Sequence, residues 1–385
     1  MSVALASLTP TLQVQGAYAR NQYASVVSFP SALLNGGTGT GIEKITIQPF
    51  NQVNATVAVN VPLLNADGIT RLAQARRGRF AAEDAENATT AEVDLSISRA
   101  YYQTVAAQGV LSAAQRALGV SQDALAISRS RFDAGTANKL AVDRALVEVA
   151  RAKQTVAEAE RTLGLARRNL ETLSGVSVQA DLPGSEAPDL PDRAEQLYVE
   201  DAQRLRPEVL QAREVVAQAS ASSNEAWVQL VPSLTGNFTE TLTNAPGFVA
   251  HDGYWSLGVR LAWLLDPVGT PASIRKADAA LVEQEARLKQ ELETVRDDVH
   301  TSFLDIALEK ARVEETSAEV KSAQEALKLT REQFAAGTAT SLDLSQAQRD
   351  AFQAEANSAQ STANLAAALL GLKKAAGESL LQASE

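Results

Sequence analysis

Arg131-Phe132-Asp133-Ala134-Gly135-Thr136-Ala137 and Gln333-Phe334-Ala335-Ala336-Gly337-Thr338-Ala339 are one element written twice, at an offset of 202 residues (334 − 132). The match runs well beyond the quoted turn. Small or apolar residues stand at Ala145, Val149, Ala152, Val156, Ala159, Leu163, Ala166 and Leu170. The same offset lands on Ala347, Ala351, Ala354, Ser358, Ser361, Leu365, Ala368 and Leu372. Both series step alternately by four and three, the seam of a helix that packs along its length on a neighbour. Ahead of each Gly lies a long run without internal Pro, about 69–133 and about 272–335, and each would be on the order of 100 Å as a helix. Gly supplies the left-handed cap of a tight helix–helix turn. Shorter returning helices follow over about 139–173 and about 341–376. The chain thus reads as two copies of a long α-hairpin.

Each copy also carries two segments that alternate instead of following a helical period. In the first copy these are about 11–20 and about 52–62; in the second, about 233–243 and about 254–264. Leu12, Val14, Gly16 and Tyr18 interleave with Gln13, Gln15, Ala17 and Ala19, and Trp255, Leu257, Val259, Leu261 and Trp263 with Ser256, Gly258, Arg260 and Ala262. Alternation alone fits a half-buried soluble sheet as well as a tilted membrane strand. The amide-, hydroxyl- and Gly-rich second face, with no large apolar residues to build a soluble core, favours the membrane. Tyr18, Phe238, Trp255 and Trp263 are then the expected membrane-facing aromatics, the two Trp at opposite lipid boundaries. Four strands cannot close a barrel, and an open sheet edge is not tolerated in lipid. Several chains must therefore pool their strands.

The first copy is taken as residues 1–175, a linker with Pro183, Pro188 and Pro191 as 176–193, and the second copy as 194–378. The second copy opens with a helix over about 194–229, interrupted early by Arg206-Pro207-Glu208. About 36 residues of helix precede Pro232, whereas nine residues precede the corresponding Pro10. The repeat therefore predicts a further leading helix ahead of residue 1, with an export signal before it, because Met1 to Leu8 is too short and uncharged to serve as a complete one.

Composition narrows the function. Aromatics make up only 5% of the chain, which suits thin helical structures with small-residue seams. A net charge of −11 argues against nucleic acid as a partner. With no Cys, disulfides and thiolate metal sites are excluded. His251 and His300 lack ligand-spaced partners, and Gly36-Gly37-Thr38-Gly39-Thr40-Gly41 is not followed by the Lys-Ser/Thr of a phosphate loop. It reads as an external loop between the first pair of strands. No catalytic residue, cofactor or metal ligand is assigned, and no enzymatic activity is expected.

In order along the chain, the paired Phe-x-x-Gly turns, Leu342-Asp343-Leu344, Arg206-Pro207-Glu208-Val209-Leu210, Leu230-Val231-Pro232-Ser233-Leu234 and Val61-Pro62-Leu63-Leu64-Asn65 resemble the TolC-like outer-membrane efflux protein family over essentially the whole chain. The resemblance implies a mainly α fold with a membrane β portion: a homotrimer with an α-barrel of long hairpins in the periplasm and a 12-stranded β-barrel in the outer membrane. It implies passive export, as in drug efflux or type I secretion, together with a periplasmic adaptor protein, an inner-membrane transporter and outer-membrane lipid as partners. An acidic residue six positions after the second-turn Gly commonly lines the periplasmic gate in that family, and Asp343 matches it. The first-copy equivalent is Ala141, with Asp143 two residues later as a further candidate. Ala339 stands where some members place an Arg. The tips at Ala134, Gly135, Thr136, Ala336, Gly337 and Thr338 would meet the adaptor. A soluble coiled-coil scaffold or periplasmic adaptor is the alternative.

Overall fold

A computed structural model describes residues 2–30, 41–178, 180–183, 193–245, 247 and 251–380. Gly36 to Thr40 of the glycine-rich loop, and Pro188 and Pro191 of the linker, lie outside the described residues. The helices are α1 (Ser2–Ala6), α2 (Ala66–Asp133), α3 (Lys139–Ser174), α4 (Glu195–Leu205), α5 (Pro207–Val228), α6 (Gly269–Ala336) and α7 (Ser341–Ala375). The strands are β1 (Thr11–Arg20), β2 (Ser25–Pro30), β3 (Ile42–Gln48), β4 (Asn51–Leu64), β5 (Ser233–Thr243) and β6 (Gly253–Ala262). The chain forms two compact units, 1–82 with 212–287 and 83–211 with 288–385, so each draws on both copies of the repeat.

In the first unit β1, β4, β5 and β6 form one antiparallel sheet in that order. Its register carries the sequence alternation across all four strands. Val14 pairs with Val57, Val59 with Phe238, and Phe238 with Leu257. One face is therefore apolar from edge to edge, and the other carries Gln15, Thr56, Thr241 and Ser256 and their neighbours. Glu240, paired with Val57 and Trp255, is the charged residue within the apolar face, and Arg20 stands at its rim.

One expectation needs correcting. The segment between the first pair of strands is not only a loop: β2 and β3 form a separate two-stranded antiparallel sheet. Ile45 and Ile47 alternate with Lys44, Thr46 and Gln48, a short strand signal that the glycine-rich stretch beside it obscured. The described chain thus has six strands, four of them in the main sheet.

In the second unit α2 and α3 form one hairpin and the corresponding parts of α6 and α7 the other. Every seam position of α3 and α7 is buried or half-buried, and those at Ala354 and Leu372 are fully enclosed. A buried apolar cluster joins Tyr198, Val199, Ala202 and Val209 to Val295, Val299 and Leu372. The expected middle helix is two helices, because the residue before Pro207 cannot stay α-helical. Arg206 adopts φ −61 and ψ 128. Its buried guanidinium bonds Asp298 at 2.7 Å and Glu208 at 3.3 Å. The linker starts against its own hairpin, where Asp181 meets Arg167 at 2.6 Å.

Candidate functional site

The two tips are built alike. After α2 the backbone N–H of Thr136 reaches the Arg131 carbonyl at 2.9 Å, and after α6 that of Thr338 reaches Gln333 at 3.0 Å. The hydroxyls of both threonines donate to the same carbonyls, each at 3.1 Å. This closing bond across a left-handed residue needs positive φ, which Gly135 supplies at 73° and Gly337 at 89°. Ala134, Gly135, Thr136, Ala336, Gly337 and Thr338 are thereby displayed as two exposed knuckles of similar shape. The knuckles also touch: the Arg131 guanidinium donates to the Ala335 carbonyl at 3.0 Å and lies 5.6 Å from the centre of the Phe334 ring.

Asp343 is exposed and caps its own helix. The Thr340 N–H and hydroxyl donate to Asp343 Oδ2 at 2.9 and 2.7 Å, and the Asp343 N–H donates back to Thr340 Oγ1 at 3.2 Å. This is a reciprocal capping box. The backbone and hydroxyl donors of Thr340 hold the carboxyl below the usual aspartate range. Asp343 also edges an open groove of about 600 Å³ between α6 and α7, shared with Glu319, Ala323, Ala326, Ala347 and Asp350. Asp143 is exposed too, but lines a different groove of about 460 Å³, with Arg144, Arg151 and Leu342. The two aspartates are not brought together in one groove. His300 bonds Glu195 at 3.0 Å, which gives that ring a partner on a helix surface.

Tyr18, Phe238 and Trp255 share the apolar face, and Trp263 follows the end of β6. Phe238 stacks on Trp255 with ring centres 6.4 Å apart, while the Tyr18 hydroxyl donates to Asn51 at 3.0 Å and the Trp263 indole to the Leu230 carbonyl at 3.2 Å. Trp255 lies in β6 and Trp263 is the residue after its end; about 26 Å of extended chain between them projects to about 20 Å at the tilt of a barrel strand, within the apolar band of a membrane barrel. β1 and β6 are the sheet edges. Leu257 on β6 is 73% exposed and Val14 on β1 70%. A continuous apolar face of this extent requires a cover of lipid or protein.

The family pattern described as outer membrane efflux protein matches residues 1–176 and 198–378. The chain belongs to the outer membrane efflux protein family. It is a protein of the outer membrane, and its fold is that of the solved efflux channels. The Campylobacter jejuni CmeC outer membrane channel superposes with a TM-score of 0.78 at 14% identity, over 98% of this chain and 79% of that one. The open state of the Neisseria gonorrhoeae MtrE outer membrane channel gives 0.75 at 20% identity, over 98% and 82%. By sequence, Nodulation protein T of Rhizobium leguminosarum bv. trifolii is 28% identical over 155 residues, 39% of this chain. That match spans 33% of the nodulation protein, about a third of its length.

Proposed function

We propose that three copies of this chain form a passive export conduit, in which β6 of each copy pairs with β1 of the next to close a barrel of 12 strands. One observation carries the reading: a four-stranded sheet with one face apolar apart from Glu240 and the rim residues Arg20 and Asn51, and with both edges unpaired among the described residues. Lipid tolerates such a sheet only when every edge is paired, and another copy offers the complementary edge. Conductance then runs through the ring, and the helices extend it into the periplasm.

At the tips, three Asp343 side chains converge as a gate, with Asp143 contributing from the first copy. Like charges around an axis repel each other and favour cations there. The knuckles at Gly135 and Gly337 receive a periplasmic adaptor, which couples the conduit to an inner-membrane transporter that selects the cargo. The conduit itself performs no chemistry in this reading.

The test of the ring is extraction from the outer membrane as a heat-modifiable trimer. A monodisperse soluble monomer from the complete gene product would overturn it and favour a coiled-coil scaffold. For the gate, Asp343→Ala should raise single-channel conductance in planar bilayers and lower cation preference. Thr340→Ala, which removes the cap but keeps the charge, should leave cation preference intact. Unchanged conductance and selectivity in Asp343→Ala would remove Asp343 from the gate.

A further inference from the structure

The two hairpins of the second unit meet along a seam that has one filled groove and one empty one. In the first copy a groove lined by Ser121, Ala124, Ala145 and Glu148 is filled from the second copy by Phe334, Leu344 and Gln348. Only about 20 Å³ remains open there. Phe334 is accordingly 5% exposed and Leu344 3%. Above this plug, Arg331 pairs with Asp123 at 2.5 Å.

Shifting every participant by 202 residues gives a second groove and a second plug. The groove becomes Ala323, Ala326, Ala347 and Asp350, and these line the open groove of about 600 Å³ that Asp343 also edges. The plug becomes Phe132, Val142 and Leu146 on the first copy, with Lys139 and Asp143 at the places of Ser341 and Ser345. Phe132 is 45% exposed and Leu146 41%, with Val142 half-buried. Asp123 becomes Glu325, and Arg331 becomes Arg129. Charge is kept at both positions, both side chains are exposed, and neither has an ion-pair partner among the described residues. A free groove and a free plug on opposite copies, complementary in the way that the buried pair is complementary, define a head-to-tail contact that can close on itself.

We infer that the open groove of one chain takes Phe132 and Leu146 of a neighbouring copy, with Glu325 pairing Arg129 of that copy. The proposal rests on the ring of copies proposed above and specifies its contact near the tips. Charge supports this occupant. The groove is acidic, with Glu319, Asp343 and Asp350 on its walls; the plug brings two cations, Arg129 and Lys139 (in the place of Ser341), against the single carboxylate of Asp143 (in the place of Ser345).

The two seams differ in what else they hold. Within the chain Arg116 pairs with Glu355 at 2.6 Å, Lys374 pairs with Glu92, and Gln348 donates to the Ala117 carbonyl at 2.5 Å and to the Ser121 hydroxyl at 2.6 Å. The shifted positions are Ala318 with Lys153, Thr172 with Thr294, and Leu146. Between chains, therefore, the plug and one ion pair remain, while the Arg116–Glu355 and Lys374–Glu92 ion pairs and the amide of Gln348 have no charged or amide counterpart.

The absence of Cys makes this directly testable. Phe132→Cys with Ala326→Cys in the full chain, treated in outer-membrane vesicles with a short thiol–thiol crosslinker, should give covalent dimers and trimers. The pair Ala124→Cys with Phe334→Cys should close within the chain and leave the mass unchanged. Intact trimers without crosslinks at Phe132 and Ala326 would overturn the groove assignment and leave the ring standing. Absence of any trimer would overturn the ring itself, and crosslinks to a different protein would give the groove another occupant. Arg129→Glu and Glu325→Arg should each lower the temperature at which the trimer dissociates in detergent, and the double exchange should restore it. Failure of the double exchange to restore it would overturn the ion pair.

Discussion

Asp343 shows how one residue can serve two demands. Its carboxylate accepts from both the backbone and the hydroxyl of Thr340, so a charge proposed for the channel axis is also the cap of α7. Thr340→Ala should weaken the first turn by roughly 1 kcal/mol, the usual worth of a hydroxyl cap, seen as faster amide exchange at Asp343 and Leu344. The sign of the pH effect follows from the lowered pKa of Asp343. The folded state binds its proton less readily than the unfolded chain, so the stabilisation is complete above the ordinary aspartate range and is lost as pH falls through the depressed value. Acidification into that range should therefore lower the protection of the amides in the first turn of α7, measured as exchange relative to the intrinsic rate at the same pH. Asp343→Asn should remove the pH dependence, and an unaltered acid response in that variant would show that another group is responsible. The acidic residue was legible in the sequence through its spacing from Gly337. Its cap was not read there, although Thr340 and Asp343 stand three apart, the spacing that a capping box requires.

Between elements, the pair Phe334 and Phe132 separates burial inside the chain from burial on assembly. Phe334→Ala empties a filled groove in the folded chain and should cost about 3 kcal/mol or more by the scale for large-to-small core changes. Limited proteolysis of the tips should register it in the single chain. Phe132→Ala should leave that proteolysis nearly unchanged and lower the yield of trimer. Equal sensitivity of the two variants in the single chain would contradict the asymmetry. The hairpins themselves were legible because small residues recur at a fixed step over eight positions in each returning helix, and packing enforces that step. The β2–β3 hairpin was not, because Ser25–Pro30 alternates poorly and the pairing that defines it is supplied by Ile42–Gln48, across a glycine-rich stretch. The break at Arg206 was visible through Pro207; the buried bond from Arg206 to Asp298 was not, since 92 residues separate the partners.

At the scale of the whole molecule, the sheet makes the sharpest demand. Leu257 and Ser256 are adjacent on β6 but face opposite ways, so one charge placed at each gives opposite outcomes. Leu257→Arg on the apolar face should cost about 2–4 kcal/mol near the middle of a bilayer, with loss of trimer from the outer-membrane fraction. Ser256→Arg, on the face with Thr239 and Arg260, should be accepted. Similar losses for both would argue against lipid on that face. The register needed for this comparison was legible in part: alternation set the faces of each strand, whereas the partners across β4 and β5 join segments some 180 residues apart, which only the fold supplies. The filled groove at Phe334 has a consequence for the rate of assembly. Because the two hairpins are joined in one polypeptide, that contact closes at an effective concentration set by the linker and not by the amount of protein made. In the proposed ring of six hairpins, every second joint is then complete before any two chains collide. Assembly becomes a third-order problem and not a sixth-order one, and scarce expression slows it far less than it would slow a ring built from single, unduplicated hairpins.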